Sequence, residues 1–496
     1  VKISLKLSLV SAVALSAGLV PAVAAAPAPR AGNAFTTPAR LSNPPTGGEP
    51  SIATDPFGNV FVVGPQGVPS GLGGTSGVGY WRSHDNGRKF DKGRTIGSFT
   101  GGGDSDVLYS RAGVLRNGGK GTIFVADLEA TAAEICKSTN SGKSFQAVGP
   151  AKDPGHCNGI AIQGQAGPSN DRPWLTADPH GRVYLTYHEF FTAQPLAFRS
   201  DNGGKDDFSN ACGPVVTNPG IEANIPQDVT GGTLVARPVT DRAGNLYVLF
   251  ATTTQQENLA ALLAGQASGT FSQLYLAVSH DHCKTFTDYT VFNGAKLGTN
   301  TVQFGDIFND LAIDGAGNLY AVGAGYVGRK QPFPTKAYVY VFRSADHGKK
   351  WLGPVLVAGG NSAHMLPAAV GGPRAGQLAI GYDRTVNGVT NPNSLKGQWT
   401  YGTAETPDGV SSRPRFAFHD VNPGFIYHHG QICNAGILCG APGQPSDRSL
   451  LDFTSAALGS SNCPVFTFAG NPTGSPRKNS SKKTFNYVTR QLEGCF

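Results

Sequence analysis

The 496-residue sequence predicts an all-β propeller built from four-stranded antiparallel blades, and three observations carry that expectation. The first is a turn pattern with Ser, Asp, Gly and an aromatic at offsets 0, 2, 4 and 7. It stands at Ser83, Asp85, Gly87 and Phe90, and again at Ser344, Asp346, Gly348 and Trp351. Asn replaces Asp at Ser138, Asn140, Gly142 and Phe145, and Cys replaces Gly at Ser279, Asp281, Cys283 and Phe286. A fifth copy, Arg199 to Phe208, has its spacing off by one. Each copy follows an apolar stretch, as expected of a hairpin turn in which Asp accepts turn amides, Gly takes the left-handed position and the aromatic packs beneath.

The second observation is an alternating strand, a D-x-x-G turn and another strand. It occurs as PSIATDPFGNVFVV, PWLTADPHGRVYLTY, RPVTDRAGNLYVLF and NDLAIDGAGNLYAV, with turn glycines Gly58, Gly181, Gly244 and Gly317. The third is composition. Glycine, at 67 of 496 residues, is at roughly twice its usual share. Charged residues make up 15%, so short strands joined by many turns fit better than amphipathic helices.

In chain order, residues 1–26 place Lys2 and Lys6 before an apolar run with Ala-x-Ala cleavage choices, which reads as a secretory signal peptide. The run is broken by Ser and is shorter than the roughly 20 apolar residues of a membrane anchor. Residues 27–47, rich in Ala, Pro, Gly and Asn, read as a flexible N-terminal arm, and 48–496 as the propeller. The first D-x-x-G unit is followed by a looser one at 106–127, then by the three further copies. A sixth unit begins at 367–383, and a seventh at 453–470 with TFNYVTRQLEG as its outer partner. Seven blades are counted; six with an elaborated C-terminal segment is the alternative. Both repeated turns fall at one rim. The variable connections GPQGVPSGLGGTSG and TTTQQENLAALLAGQASG fall at the other, where binding is expected.

Eight cysteines with no C-x-x-C pair, in an exported chain, point to disulfides, with Cys433–Cys439 and Cys463–Cys495 the local pairings. The net charge of +7 includes the C-terminal cluster Arg477, Lys478, Lys482, Lys483 and Arg490, which reads as a solvated loop; no nucleic-acid partner is suggested. A secreted, extracellular monomer without a stable membrane anchor is expected.

The Ser-x-Asp-x-Gly-x-x-aromatic spacing resembles the Asp-box, or bacterial neuraminidase repeat, of secreted sialidase-like proteins, and the N-D-R-P-W-L stretch at 170–175 fits the same blades. The resemblance implies a sialidase-like β-propeller acting on extracellular glycan or glycoprotein. It implies arginines that grip a sugar carboxylate, a tyrosine nucleophile with a glutamate partner, and an aspartate acid/base. Carried onto this sequence, Arg172, Arg237 and Arg384 (or Arg448) are the substrate-binding arginines. Glu222, Tyr382 and Asp171 become the catalytic residues, with Asp310 and Glu189 beside the substrate. The region matching the family's first arginine motif reads TGGEPSIATD, with Glu49 and Pro50 in its place.

Aligned on the turn Asp, the polar residues Glu49, Asp104, Asp106, Asn309, His364, Asp383 and Asp452 also fall at the expected mouth, and Asp228 in a loop nearby. Asp104 and Asp106 in GGGDSD have the spacing of two calcium ligands, but the full loop signature is absent and no metal or cofactor is assigned. His156 with Cys157 is too small a set for zinc, and His428 and His429 point to opposite faces of a strand. Two readings stay open. A glycoside hydrolase of exo-sialidase type requires arginines and an acid pair converging in one pocket. A non-catalytic glycan- or protein-binding propeller requires arginines individually paired with acids.

Overall fold

The computed structural model describes residues 34–42, 48–65, 78–96, 101–111, 119–129, 133–148, 158–160, 170–189, 194–206, 208, 210–222, 233–252, 273–293, 303–326, 336–433, 439, 446–472 and 484–496. Residues 1–26, read above as a signal peptide, the connections 66–77 and 253–272, His156 with Cys157, Asp228 and the basic stretch 477–483 lie outside them.

Seven antiparallel sheets form a seven-bladed propeller. Blade 1 runs Ser51–Thr54, Val60–Pro65, Val78–Ser83 and Arg94–Ile96 from axis to rim. The inner strands of blades 2 and 3 are Gly101–Ser110 and Asn170–Ala177. Blade 4 has its inner strand split into Thr233–Val235 and Val239–Thr240 around Arg237. Blades 5 and 6 begin with Gln303–Ile313 and His364–Gly371.

Blade 7 consists of Ser455–Leu458, Pro464–Gly470 and Phe485–Arg490, and its outermost strand is Ala39–Arg40, paired with Tyr487 and Val488. The segment expected as an arm therefore contributes a strand, and the stretch expected as the outer strand is the third. The ring closes by joining the two ends of the chain. Disulfide Cys463–Cys495 ties the same blade, Cys433–Cys439 closes a loop, and Cys212–Cys283 links blade 3 to the turn of blade 4. Among the described residues no helix is long and apolar enough to cross a membrane.

The recurring turns owe their shape to a shared set of hydrogen bonds. Ser83 Oγ accepts from Gly87 N (2.9 Å) and donates to Asp85 Oδ1 (2.8 Å), which accepts from Arg88 N and Lys89 N. The same serine-to-glycine bond recurs at Ser138–Gly142, Ser200–Gly204 and Ser344–Gly348, and at Ser279–Cys283 with Cys283 at φ +64°. In the irregular fifth copy the turn itself is intact. Asn202 takes the Asp place by accepting from Lys205 N and Asp206 N, and only the aromatic, Phe208, is displaced. Thr406 and Asp408 make a further variant in blade 6 that the serine-based pattern misses. At the inner turns, Asp55, Asp178, Asp241 and Asp314 accept main-chain amides two and four residues on.

Neighbouring blades are held by apolar layers, such as Phe61, Val63, Tyr80, Val107 and Val125 between blades 1 and 2. Ile52, Val62, Trp81, Val465 and Val488 seal blade 7 to blade 1. A fully buried Val, Leu or Phe contributes roughly 1.5–3 kcal/mol, so these layers supply most of the cohesion. A cationic latch is added at the rim. The residue just before the turn serine reaches the next blade's main chain: Arg82 to Ser141 O (2.9 Å), Lys137 to Gly204 O, Arg199 to His282 O and Arg343 to Val410 O (3.3 Å). Both kinds of turn lie at the end of the blades opposite Glu49, Arg172 and Arg237.

Candidate functional site at the propeller axis

Inner strands bring polar side chains to the axis, and irregularities at their starts decide which side chains arrive. The register shifts between Asp171 and Trp174 in blade 3 and between Met365 and Ala368 in blade 6. Glu49, Arg172 and Leu366, each directly before a proline, have φ of +43°, +60° and +50°, a costly conformation for a residue with a Cβ. The bulge takes Arg172 off the strand's alternation and sets its guanidinium 4.8 Å from the centre of the Phe453 ring.

An axial opening of about 320 Å³, including space open to solvent, is lined among others by Trp174, Arg237, Asp310, Leu366, Asp452 and Phe453. The Trp174 and Phe453 rings meet edge to face at 5.0 Å. Arg237 lies 4.7 Å over Trp174, donates from Nε to Asp106 (3.0 Å) and from Nη1 to Ser455 Oγ (2.6 Å). Asp106 is a hub, because it also accepts from Ser51 Oγ (2.6 Å) and Leu175 N (2.8 Å), joining blades 1, 2, 3 and 4. Both oxygens of Asp106 are thus engaged by groups of the protein. Among the described residues no group of three His, Cys, Asp or Glu is arranged for a metal.

Asp310 accepts from Leu311 N (3.0 Å) and Ala369 N (2.9 Å), and burial raises its pKa to about 6 against the opposing pull of Arg237. It is therefore an acid poised between its charged and neutral forms in mildly acidic water.

Next to the pocket is a second group. Arg448 pairs with Asp452 (2.5 Å) and lies 3.8 Å from Glu49, while Asp452 N donates to Glu49 (3.0 Å). Asp104 accepts from Arg172 N (3.0 Å), and Arg172 Nε is 3.8 Å from Asp171. Burial raises Asp104 to about 8, with Glu49 adding to the rise. Burial raises Glu49 too, and the Asp452 charge reinforces it. Asp171 moves the same way, raised by burial and by the Asp104 charge and opposed by Arg172. Burial pushes His188, beside Asp171, down to about 4, so its imidazole is neutral.

The structure brings together Asp171, Arg172, Arg237 and Asp310 of the expected site residues. Glu189 is buried at the end of the neighbouring strand, opposite Asn170. The other three lie elsewhere. Tyr382 is 2% exposed in the layer between blades 5 and 6, its hydroxyl 3.5 Å from Thr403 O and its ring against His364. Arg384 forms a two-pronged pair with Asp420 of the outer strand (2.6 and 2.7 Å). Glu222 is exposed on the one-turn helix Pro219–Glu222, whose leading residues Thr217 and Asn218 bind Asp288 on the outer strand of blade 4. Of the paired histidines, His428 is buried between Asn471 and Gln431, as opposite facing requires.

The aromatic walls are not among the residues expected from sequence. Trp174 and Phe453 carry a signal all the same, since each follows the charged residues of its unit by one or two positions in RPW and LDF. Tyr401 touches the pocket lining, with its hydroxyl 3.4 Å from Thr454.

Aromatic walls, a fixed guanidinium and a half-protonated carboxyl are the groups that recognise sugars: rings for the apolar faces of a pyranose, charged groups for its hydroxyls. No family model matches the chain, and no curated protein does. Among solved structures the chain is similar to a polysaccharide lyase of family PL25, an ulvan lyase bound to -[GlcA(1-4)Rha3S]-. The identity is 11% and the TM-score 0.49, covering 93% of this chain and 96% of that one. It is similar to the intramolecular trans-sialidase of Ruminococcus gnavus, at 11% identity and TM-score 0.40 over 90% and 94% of the two chains. For the NanB sialidase of Streptococcus pneumoniae the figures are 11% and 0.42, over 94% of this chain and 71% of that one.

Proposed function

We propose that the protein is an extracellular, glycan-acting propeller whose sugar ligand enters the axial pocket, with Asp310 as the proton donor there. The observation that carries this reading is Asp310 itself, a half-buried carboxyl in a pocket it shares with Arg237, Trp174 and Phe453 and held near pKa 6. An acid so tuned can protonate a glycosidic oxygen at mildly acidic pH. Asp452, on the same lining, is the second carboxyl such chemistry needs. The disulfides among the described residues support an oxidising, extracellular setting.

The narrower exo-sialidase form uses Arg172 and Arg237 on a sugar carboxylate, and their placement against the Phe453 and Trp174 rings favours it. Tyr382 and Glu222 have no part in it, because neither reaches the pocket lining. A non-catalytic glycan-binding propeller is the second reading. It is favoured by the pairing of Arg237 with Asp106, Arg384 with Asp420 and Arg448 with Asp452.

The test is turnover of a panel of fluorogenic glycosides, sialosides included, by the mature protein from pH 4 to 8. Asp310→Asn should retain the fold and lose about 100-fold or more in rate. No turnover on any substrate, together with glycan-array binding weakened by Trp174→Ala, would establish the binding reading instead.

A further inference from the structure

We infer that the face carrying the turns, opposite the axial pocket, is a cationic docking surface for an extended acidic polysaccharide. It lies at the other end of the blades, so it goes beyond the glycan reading of the pocket and holds whatever that pocket binds. Its basis is one position of the repeated turn. The residue five after the turn serine is basic in all five copies: Arg88, Lys143, Lys205, Lys284 and Lys349. Even the irregular copy keeps it. All five side chains are exposed.

The bonds that shape the turn do not call for a cation there. They use the serine hydroxyl, the Asp or Asn two positions on, and main-chain amides. Arg88 N donates to Asp85 Oδ1 (3.0 Å) and Lys205 N to Asn202 Oδ1 (2.8 Å), while the side chains of Arg88 and Lys205 stand in solvent. The carboxylates of this face are engaged by other groups. Asp281 and Asp346 accept Thr285 N and Lys350 N (both 2.9 Å), Asp91 pairs with Arg82, and Asp201 with Arg199. Among the described residues none of the five cations takes part in an ion pair.

Hydrogen bonds knit the separate turns into one surface. Within blades, Asn86 N donates to Gly58 O (2.8 Å) and His280 Nδ1 lies 2.9 Å from Asn245 Oδ1, tying outer turns to inner ones. Between blades, Ser460 Oγ of blade 7 donates to Asn86 Oδ1 of blade 1 (2.7 Å), and Arg82 reaches Ser141 O. Adjacent serine turns therefore stand within reach of one arginine side chain. That is comparable to the roughly 8 Å over which charges are felt at physiological salt, so the fields of neighbouring cations add. Blade 6 extends the arc with exposed Arg413 and Arg415, the latter donating its amide to Asp408 (3.1 Å).

Unpaired, flexible cations spread over an open face read charge density rather than shape, which is how a linear polyanion is bound. Bases have nothing to stack on at these turns, because Phe145, Phe208 and Phe286 are buried beneath them. A bilayer finds no apolar patch either. The large apolar side chains exposed beside the turns, Phe57 and Leu352, are single and on different blades. A polysaccharide with a carboxylate or sulfate in each repeat needs neither feature.

The test is titration calorimetry of the full chain with polygalacturonate and chondroitin sulfate between 50 and 300 mM NaCl, with neutral dextran as control. Both acidic polymers should bind, with an affinity that falls steeply with salt, and dextran should not. Lys143→Ser with Lys284→Ser should keep the melting temperature and weaken binding by about fivefold or more at the lowest salt. Lys336→Ser with Lys396→Ser removes the same charge from exposed positions just before third strands, at the other end of the blades, and should change affinity by less than about twofold. No binding of either acidic polymer, no effect of the first pair, or equal effects of the two pairs would overturn the inference. Tighter binding of single-stranded DNA or of phosphatidylserine vesicles would do the same. Loss of binding in Trp174→Ala would place the polymer in the axial pocket and overturn it as well.

Discussion

Replacing Arg237 by methionine tests whether the axis is held together electrostatically. Arg237 joins three groups: Asp106 at 3.0 Å, Ser455 at 2.6 Å and the Trp174 ring at 4.7 Å. Its removal leaves Asp106, whose side chain is 2% exposed, as a buried carboxylate without its cation. Losing one partner of a buried pair costs about 3–5 kcal/mol. Here Asp106 keeps Ser51 Oγ and Leu175 N as donors, and Arg237 is 19% exposed, so the lower end applies. Arg237→Met should therefore cost about 3 kcal/mol, read as a lower urea midpoint at pH 7 with unchanged slope. Asp106→Asn together with Arg237→Met should cost about 2 kcal/mol less than the sum of the two single changes, since neither then strands a charge. Additivity within about 0.5 kcal/mol would refute the account and reduce Arg237 to a packing residue.

Two further outcomes concern the joints between blades. Arg82→Met should cost about 1 kcal/mol by leaving Ser141 O without its donor, whereas Asp91→Asn, which removes only a solvent-exposed pair, should move the urea midpoint little. Cys212→Ala with Cys283→Ala opens a 71-residue loop and should lower stability by about 4 kcal/mol in the chain-entropy treatment. Reducing wild type with dithiothreitol should narrow the difference between the two proteins.

What could be read from sequence follows the range of the interaction concerned. The turns were legible because their hydrogen bonds close within four residues, as from Ser83 to Gly87 and from Asp55 to Asn59. Their order along the chain led to a count of seven blades with six as the alternative, and the seven sheets of the structure decide between them. Cys433–Cys439 and Cys463–Cys495 were legible for the same reason, being six and 32 residues apart. Cys212–Cys283 was not, because it is made only when blade 4 docks on blade 3. The closing strand Ala39–Arg40 was hidden too: two residues carry no periodicity, and its partner lies over 400 positions away.

The site was less legible because aligning units places a residue along the axis but does not fix the direction of its side chain. Consecutive strand residues face opposite sides. Tyr382 thus joins the layer toward blade 5, while Asp383, one position later, pairs in register with Met365 and Tyr401. At Glu49 and Arg172 a positive φ breaks the alternation outright, and no local sequence rule predicts that for a glutamate or an arginine. Both departures serve the same group of charges. Glu49 reaches Arg448, and the amide of Arg172 reaches Asp104. A backbone conformation that is costly for each residue alone is sustained by contacts with another blade. The residues whose roles were hardest to read are those whose conformation depends on ring closure, and they are the ones that meet beside the pocket.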